Sequence, residues 1–347
     1  MQTSTLDFQY QLPSCSEKNI VGDILFLDIE TTGLSPDMSA LFMIGCSWFD
    51  GEQLHIIQWL SDSLELFGER DILSAFSAFL KKRMQHSPDL RLITYNGQTF
   101  DLPFLHTRYL QCGLENPLKS LNFAASPLDL YRCFSPYKLL WPVPDMKLKT
   151  MAQWLGFKPP KAPSGRHLIK AYHDYIKTKD SETLNLLFVH NQGDLISLVK
   201  ILPICNYFRF FNGAYTFPVP PVIEETHLTL TLKPAVCLPA PLNWEALGFH
   251  LDISPDIIHL QIPLYPQGLR YYYADFKNYI YLPAEDYAVH KSMMSYIDRS
   301  HWEKARRENC YNWFSLDETF IKDTNRQREY IKMIFCLFGF FREKPLP

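Results

Sequence analysis

Asp28 and Glu30 sit two apart in "FLDIETTGL", directly after the apolar run Ile24-Leu25-Phe26-Leu27. Side chains two apart on a strand point to the same face. Two carboxylates held together raise each other's pKa unless a cation sits with them. Carboxylate oxygens suit a hard divalent cation, Mg²⁺ or Mn²⁺. A strand end where both acids reach water would read the same way. Asp101 follows a tight Asn96-Gly97 turn in "YNGQTFDLPFL". An acid there opens a helix and also complements its dipole. His190 and Asp194 are four apart in "FVHNQGDLISLV", hence on one side of a helix. Apolar neighbours make that helix mostly buried, although a surface His–Asp pair has the same spacing.

These residues need elements to hold them. Val21 to Ile29 reads as a fully buried strand, because its apolar residues run without alternation. Leu41–Phe49 and Leu54–Leu60 read as two more, joined at Asp50-Gly51, a hairpin signal. Leu64–Met84 has helical spacing. Leu90–Thr94 is a short strand, and Phe100–Cys112 a helix that Thr99 could cap. Asp129 follows another strand end, where it either serves the site or caps the next segment. A helix at Leu148–Leu155 precedes the basic loop "KPPKAPSGRH". Its Lys158, Lys161 and Arg166 are solvated loop charges or phosphate contacts. Helices over 167–177 and 182–200 follow, the last capped by Asp180 or Ser181. The fold class is α/β, a mixed sheet flanked by helices.

Domain boundaries follow from texture. Residues 1–20 read as a loose polar lead-in and 21–210 as the main domain. The prolines of 211–222 make a linker. Residues 223–347 read as a smaller C-terminal α+β domain. There "THLTLTL" and "IIHLQIPL" alternate as half-buried strands, "RYYYADFKNYIYLP" is strand-like, and two helices follow.

The net charge of −3 excludes the strong basic field of a protein that coats a long duplex, but not an enzyme gripping a few nucleotides. The eight cysteines include no C-x-x-C pair, so a zinc site is not expected. The start lacks the basic flank and apolar core of a signal peptide, and the longest uncharged apolar run, Met333–Phe341, falls far short of the ~20 residues of a membrane helix. A reduced, cytoplasmic protein with no membrane association is expected.

Taken in order, D-x-E on a strand, N-G-x-x-F-D on a strand–turn–helix and H-x-x-x-D on a late helix resemble the exonuclease motifs of the DEDD superfamily. These are the DnaQ-like 3′–5′ exonucleases of ribonuclease H-like fold. "LFLDIETTGL", "YNGQTFDLPFL", "LDLYR", "LKTMAQWLG" and "VHNQGDLISL" resemble the YprB-type branch, over about residues 20–205. The resemblance implies that Asp28, Glu30, Asp101 and Asp194 bind two divalent cations, Mg²⁺ or Mn²⁺, around a scissile phosphate. Asp28 would touch both ions, Glu30 and Asp194 the nucleophile-side ion, and Asp101 the other. His190 would orient or deprotonate the attacking water. It stands at the spacing of the Tyr form of the superfamily, not that of the His form, so its task is open between the two. Thr31, Thr32 and Gly33 would meet the terminal nucleotide, Leu34 would pack on its base, Asn96 would make a polar contact, and Phe100 and Phe104 would wall the pocket.

The resulting expectation is a metal-dependent 3′–5′ exonuclease acting on a DNA or RNA end. A structure-specific endonuclease on the same fold, or a non-catalytic nucleic-acid-binding adaptor, are the alternatives. A protein partner is possible through the C-terminal domain, which matches no catalytic family and holds no second acid cluster.

Overall fold

The strand before Asp28 shows no alternation because helices cover both of its faces. The computed structural model describes residues 1–10, 24–120, 127–158, 160 and 165–341. The chain divides into two units, Met1–Lys138 with Pro142–Pro203, and Leu139–Trp141 with Ile204–Leu346.

In chain order the first unit holds β1 (Gln2–Gln9), β2 (Ile24–Thr31), β3 (Leu41–Asp50), β4 (Gln53–Leu60), α1 (Leu66–His86), β5 (Arg91–Thr94), α2 (Asp101–Gln111), β6 (Leu128–Asp129), α3 (Leu130–Phe134), α4 (Leu148–Trp154), α5 (Gly165–Thr178) and α6 (Ser181–Ile201). Among the described residues its strands form one mixed sheet in the order β1-β4-β3-β2-β5-β6. β2, β5 and β6 run parallel, and β1, β4 and β3 pair antiparallel. Gly51, at φ 61°, makes the β3–β4 turn that Asp50-Gly51 signals.

Alternation along β2 sorts its side chains. Leu25, Leu27 and Ile29 join Ile72 and Phe76 of α1 and Phe104 of α2 in one core. On the other face Met43 and Leu60 pack with Leu168 and Tyr172 of α5 and Leu187 of α6. Asp28 and Glu30 therefore face the α6 side. A bulge between Glu30 and Thr31 ends regular pairing just past the second acid.

Two local expectations need correction and a third is resolved. The start of the lead-in is not loose: β1 pairs with β4 from Gln2↔Leu60 to Gln9↔Gln53, and residues 11–20 lie outside the described ones. Thr99 does not cap α2, because its Oγ1 donates to the Asn96 carbonyl (3.0 Å) and Oδ1 (2.6 Å). Between the two capping candidates for α6, Asp180 accepts from the Thr183 N–H at 2.7 Å.

The second unit holds α7 (Cys205–Phe211), β7 (Tyr215–Thr216), β8 (Val222–Ile223), β9 (His227–Pro234), β10 (Leu242–Ala246), β11 (Phe249–Ile253), β12 (Ile258–Pro263), β13 (Leu269–Tyr272), β14 (Tyr279–Leu282), β15 (Tyr287–His290), β16 (Glu303–Lys304), β17 (Tyr311–Phe314), α8 (Glu318–Lys322) and α9 (Thr324–Leu337). Its largest sheet runs β10-β11-β12-β9-β7, with β8 also on β9. Residues 211–222 thus contribute to a sheet and are not a bare linker. α7 belongs to this unit because Phe210 and Phe211 meet the Phe335 ring at 5.7 and 5.1 Å. The segment "RYYYADFKNYIYLP" splits into β13 and β14 around a 3₁₀ turn. Among the described residues no helix is long and apolar enough to cross a membrane.

One ion pair ties the loop after β2 to the helices. Arg108 Nε and Nη2 donate to Glu69 at 2.6 and 2.7 Å, and Nη1 donates to the Pro36 carbonyl at 3.0 Å. Both partners are buried. Burial pushes the Glu69 carboxyl up, and the Arg108 bonds offset part of that push. Arg108→Met would strand the Glu69 carboxylate. Urea denaturation should then show a loss of about 3–5 kcal/mol, and the Glu69→Met/Arg108→Met double variant should recover much of it. Equal losses in both variants would assign the cost to packing and not to charge.

Candidate active site

Four segments converge on the α6 side of β2. β2 supplies Asp28 and Glu30, and α6 crosses above them with His190 and Asp194. His190 Nε2 lies 3.5 Å from Glu30 Oε1 and 3.4 Å from Asp194 Oδ2. Ligand atoms of Glu30, His190 and Asp194 all fall within 4.8 Å of one another. Asp101 opens α2 beside β2, where its carboxyl shares a backbone hydrogen bond with Ile29. Its charge reaches both Asp28 and Glu30. The fourth segment, α4, brings Lys149, whose charge acts on both His190 and Asp194.

Electrostatics mark these acids as unsatisfied anions. Burial first, then Glu30, Asp194 and Asp101, push the Asp28 carboxyl well above the usual range. Burial, then Asp194 and Asp101, do the same to Glu30. Asp101 rises to about 7, chiefly by burial. Burial also raises Asp194, against the opposing pull of His190 and Lys149. Burial lowers the His190 imidazole, against the attraction of Asp194. Its Nδ1 is buried without a hydrogen-bond partner. Crowded carboxylate oxygens with one imidazole fit hard divalent cations, whose charge would hold all the acids ionised. Glu30, His190 and Asp194 are the residues whose ligand atoms the structure brings together, and Asp28 and Asp101 lie outside that 4.8 Å group.

Asp129 provides the contrast. It is also buried, yet its carboxylate accepts backbone N–H groups from Asn96 (2.7 Å), Gln98 (3.1 Å), Tyr131 (3.0 Å) and Arg132 (3.3 Å). Of the two readings of Asp129, the cap of α3 is the one observed. It also pins the turn that leads into Asp101.

The other expected contacts are placed as follows. Thr32 closes the turn after β2, its N–H donating to Ala40 O (2.9 Å) and its Oγ1 accepting from Ala40 N (2.8 Å). Thr31 Oγ1 donates to Gly33 O at 2.8 Å. Gly33 has no room for a side chain, since a Cβ would lie 2.5 Å from Ser39 Oγ. Leu34 projects from this turn, 85% exposed. Asn96 is exposed, at φ 63°. Phe100 packs half-buried on the core, and Phe104 lies fully within it, 1% exposed, so Phe104 cannot wall a pocket. Lys158 and Arg166 are exposed, and Lys161 lies outside the described residues.

Sequence reasoning missed Lys149 and Asn191. Asn191 donates through Nδ2 to Asp28 Oδ2 at 2.7 Å. Lys149 sits within "LKTMAQWLG", so family likeness marked its segment but not its role. Asn191 carried no signal beyond standing next to His190.

The raised acids give a pH signature. A carboxyl whose folded pKa exceeds its unfolded value adds stability that is full below the unfolded pKa and is lost as pH rises through the folded one. For Asp101 that loss runs from its ordinary 3.8 to about 7, and Asp28, Glu30 and Asp194 act in the same direction. His190, being lowered, acts in the opposite sense, one group against four. With chelator present, the melting temperature should fall from about pH 5 to about pH 8, and saturating Mn²⁺ should flatten that slope. A slope unaffected by Mn²⁺ would show that the acids do not share a cation.

The family model described as RNase_H_2, of the RNase_H superfamily, matches residues 25–205. No curated protein matches the chain. Among solved structures, the chain is similar to the family B DNA polymerase of the hyperthermophilic archaeon Pyrobaculum calidifontis at 13% identity and a TM-score of 0.46. That match covers 93% of this chain and 48% of the polymerase chain. It is also similar to E. coli exonuclease I, in complexes with a 5cy-dA13 and a dA16 oligonucleotide. Both matches have 15% identity and cover 61% of this chain and 54% of that one, with TM-scores of 0.31 and 0.32. The chain thus spans about half the length of the solved structures it matches. With the matched segment holding every acid of the site and more than half of the chain, the protein belongs to the RNase_H_2 family of the RNase_H superfamily.

Proposed function

We propose that the chain is a divalent-cation-dependent 3′–5′ exonuclease of DEDD type, closest in pattern to the YprB branch, acting on single-stranded nucleic-acid ends. The observation that supports this reading is the group of Glu30, His190 and Asp194, whose ligand atoms lie within 4.8 Å of one another, with Asp28 and Asp101 in electrostatic reach of its acids. Ionised carboxylates there have no other partner strong enough to offset their burial. Asp28, Glu30, Asp101 and Asp194 would hold two cations, Mg²⁺ or Mn²⁺. When bound, these supply Lewis-acid charge to the phosphate and lower the pKa of a water.

The chain's own groups do the rest. His190 Nε2, lying between Glu30 and Asp194, orients the attacking water or accepts its proton. A neutral imidazole has the free lone pair this needs. Thr31, Thr32 and Gly33 offer a closed turn to the terminal nucleotide, and Leu34 an apolar surface to its base. Asn96 and Phe100 flank the same end. Lys149 adds a positive charge that favours an approaching phosphate. Residues 25–205 would carry the chemistry, and the region after 222 an accessory role, in holding substrate or docking a protein partner. Scattered cysteines with no C-x-x-C pair support a reduced, cytoplasmic setting.

Two variants test the reading. Asp28→Asn should abolish Mn²⁺-dependent mononucleotide release from end-labelled single strands while circular dichroism stays unchanged. Full activity in that variant, or equal cutting of circular strands, would reject a 3′–5′ exonuclease built on these acids. His190→Ala should slow turnover by about 10²–10⁴-fold with little change in Mn²⁺ affinity. A large loss of affinity would make His190 a ligand instead.

A further inference from the structure

We infer that Asn191 and Gln58 are positioning residues that fix the Asp28 carboxylate, working through an opening in the sheet that Gly45 provides. This rests on the metal-binding role proposed above for Asp28.

The argument begins with register. Asp28 pairs with Gly45, and Gly45 pairs with Gln58, so three strands place these residues in one row. Residues opposite one another on neighbouring strands project to the same face. Neighbouring strands lie about 4.8 Å apart, so Asp28 and Gln58 stand roughly 10 Å apart. That is too far for a direct hydrogen bond. Between them Gly45 offers no side chain, and α6 lowers Asn191 into the space. A Cβ on Gly45 would lie 2.0 Å from Asn191 Oδ1 and 2.9 Å from its Cγ. Any other residue at 45 would displace the Asn191 amide.

The polarity of the chain of bonds is fixed at its far end. Gln58 Nε2 donates to the Phe188 carbonyl at 2.9 Å, and a carbonyl can only accept. The Gln58 amide nitrogen therefore faces α6. Its second hydrogen goes to Asn191 Oδ1 at 2.9 Å. With that oxygen engaged, Asn191 must turn Nδ2 toward Asp28, and it donates to Oδ2 at 2.7 Å. The relay thus delivers an N–H to one oxygen of Asp28 and leaves the other free for a cation.

Asn191 and Gln58 are each 0% exposed, and Gln58 Oε1 has no partner. Two apolar side chains of similar shape would fill the same space but would leave Asp28 Oδ2 without its donor. The polar relay makes sense as an orienting device. Groups that hold a metal ligand in place commonly govern metal affinity by about 10–100-fold.

The test uses full-length protein and Mn²⁺ as the probe. In the Asn191→Leu/Gln58→Leu double variant, circular dichroism should match wild type without metal. Calorimetric Mn²⁺ affinity should fall by about 10–100-fold, and kcat for single-strand degradation should fall with KM unchanged. Gly45→Ala should lower Mn²⁺ affinity in the same way with every polar group present. Should the double variant not fold, Asn191→Ser, which keeps a small polar group but cannot reach Asp28, gives the same reading. Wild-type affinity and kcat in a folded variant would overturn the inference and leave Asn191 a packing residue. Wild-type protein that binds Mn²⁺ but degrades no nucleic acid would reject the proposed function, and the inference would then stand or fall on affinity alone. Wild-type protein that binds no Mn²⁺ overturns both.

Discussion

Keeping several carboxylates close together in a partly dry place is the constraint on which the first unit turns. Each of Asp28, Glu30, Asp101 and Asp194 is raised by burial, and the first three also by the charges of neighbouring carboxylates. Such an arrangement is unfavourable without cations, so the surrounding structure has to be stiff enough to hold it. A six-stranded sheet with helices on both faces supplies that stiffness. The four acids come from three elements, β2, α2 and α6, so no local relaxation can separate them all.

Two other buried acids show how the same fold treats charge that has a purely structural task. Glu69 meets a two-pronged guanidinium from Arg108, and Asp129 collects backbone N–H groups from two segments. Both sit beside the site and brace its turns: Arg108 holds the Pro36 carbonyl after β2, and Asp129 holds the Asn96 turn before α2. Glu69 and Asp129 each collect several donors, whereas Asp28 accepts one amide N–H from Asn191 and is raised by burial and by the carboxylates around it.

The second unit spends its aromatic residues mainly on itself. Tyr272, Ile280 and Leu282 are buried, and Tyr273 stacks on Tyr279 at 4.5 Å. Arg270 lies 4.0 Å from the Tyr265 ring, 4.2 Å from that of Tyr311 and 3.6 Å from Asp286, so its charge is largely engaged within the unit. Arg299 covers Trp302 at 4.0 Å. These contacts favour a self-supporting aromatic core over a row of rings waiting for bases. The basic residues of α9 are engaged in the same way: Arg326 meets Asp317 at 3.4 Å, Arg328 donates to the Gly213 and Tyr215 carbonyls, and Lys332 lies over the Phe341 ring.

What the sequence by itself determined is whatever repeats with the period of one element. Asp28 and Glu30 were legible because a strand alternates every two residues, and His190 with Asp194 because a helix returns after four. The buried β2, the β3–β4 hairpin, the flanking helices and the D-x-E, F-D and H-x-x-x-D motifs follow from those periods. β1 was not legible, because an edge strand wet on both faces, as in "QTSTLDFQ", carries no apolar alternation, and only its pairing with β4 makes it a strand. The limit of the first unit was misplaced because the Pro-rich stretch begins only after α7, whereas ring contacts with α9 assign α7 to the second unit. Asn191, Gln58 and Gly45 are ordinary residues on three different elements. Only the register of the sheet and the height of α6 above it bring an amide into the one gap where it can hold Asp28. Period is a property of a segment, whereas register and depth are set between segments. For that reason the acids could be read along the chain and the groups that orient them could not.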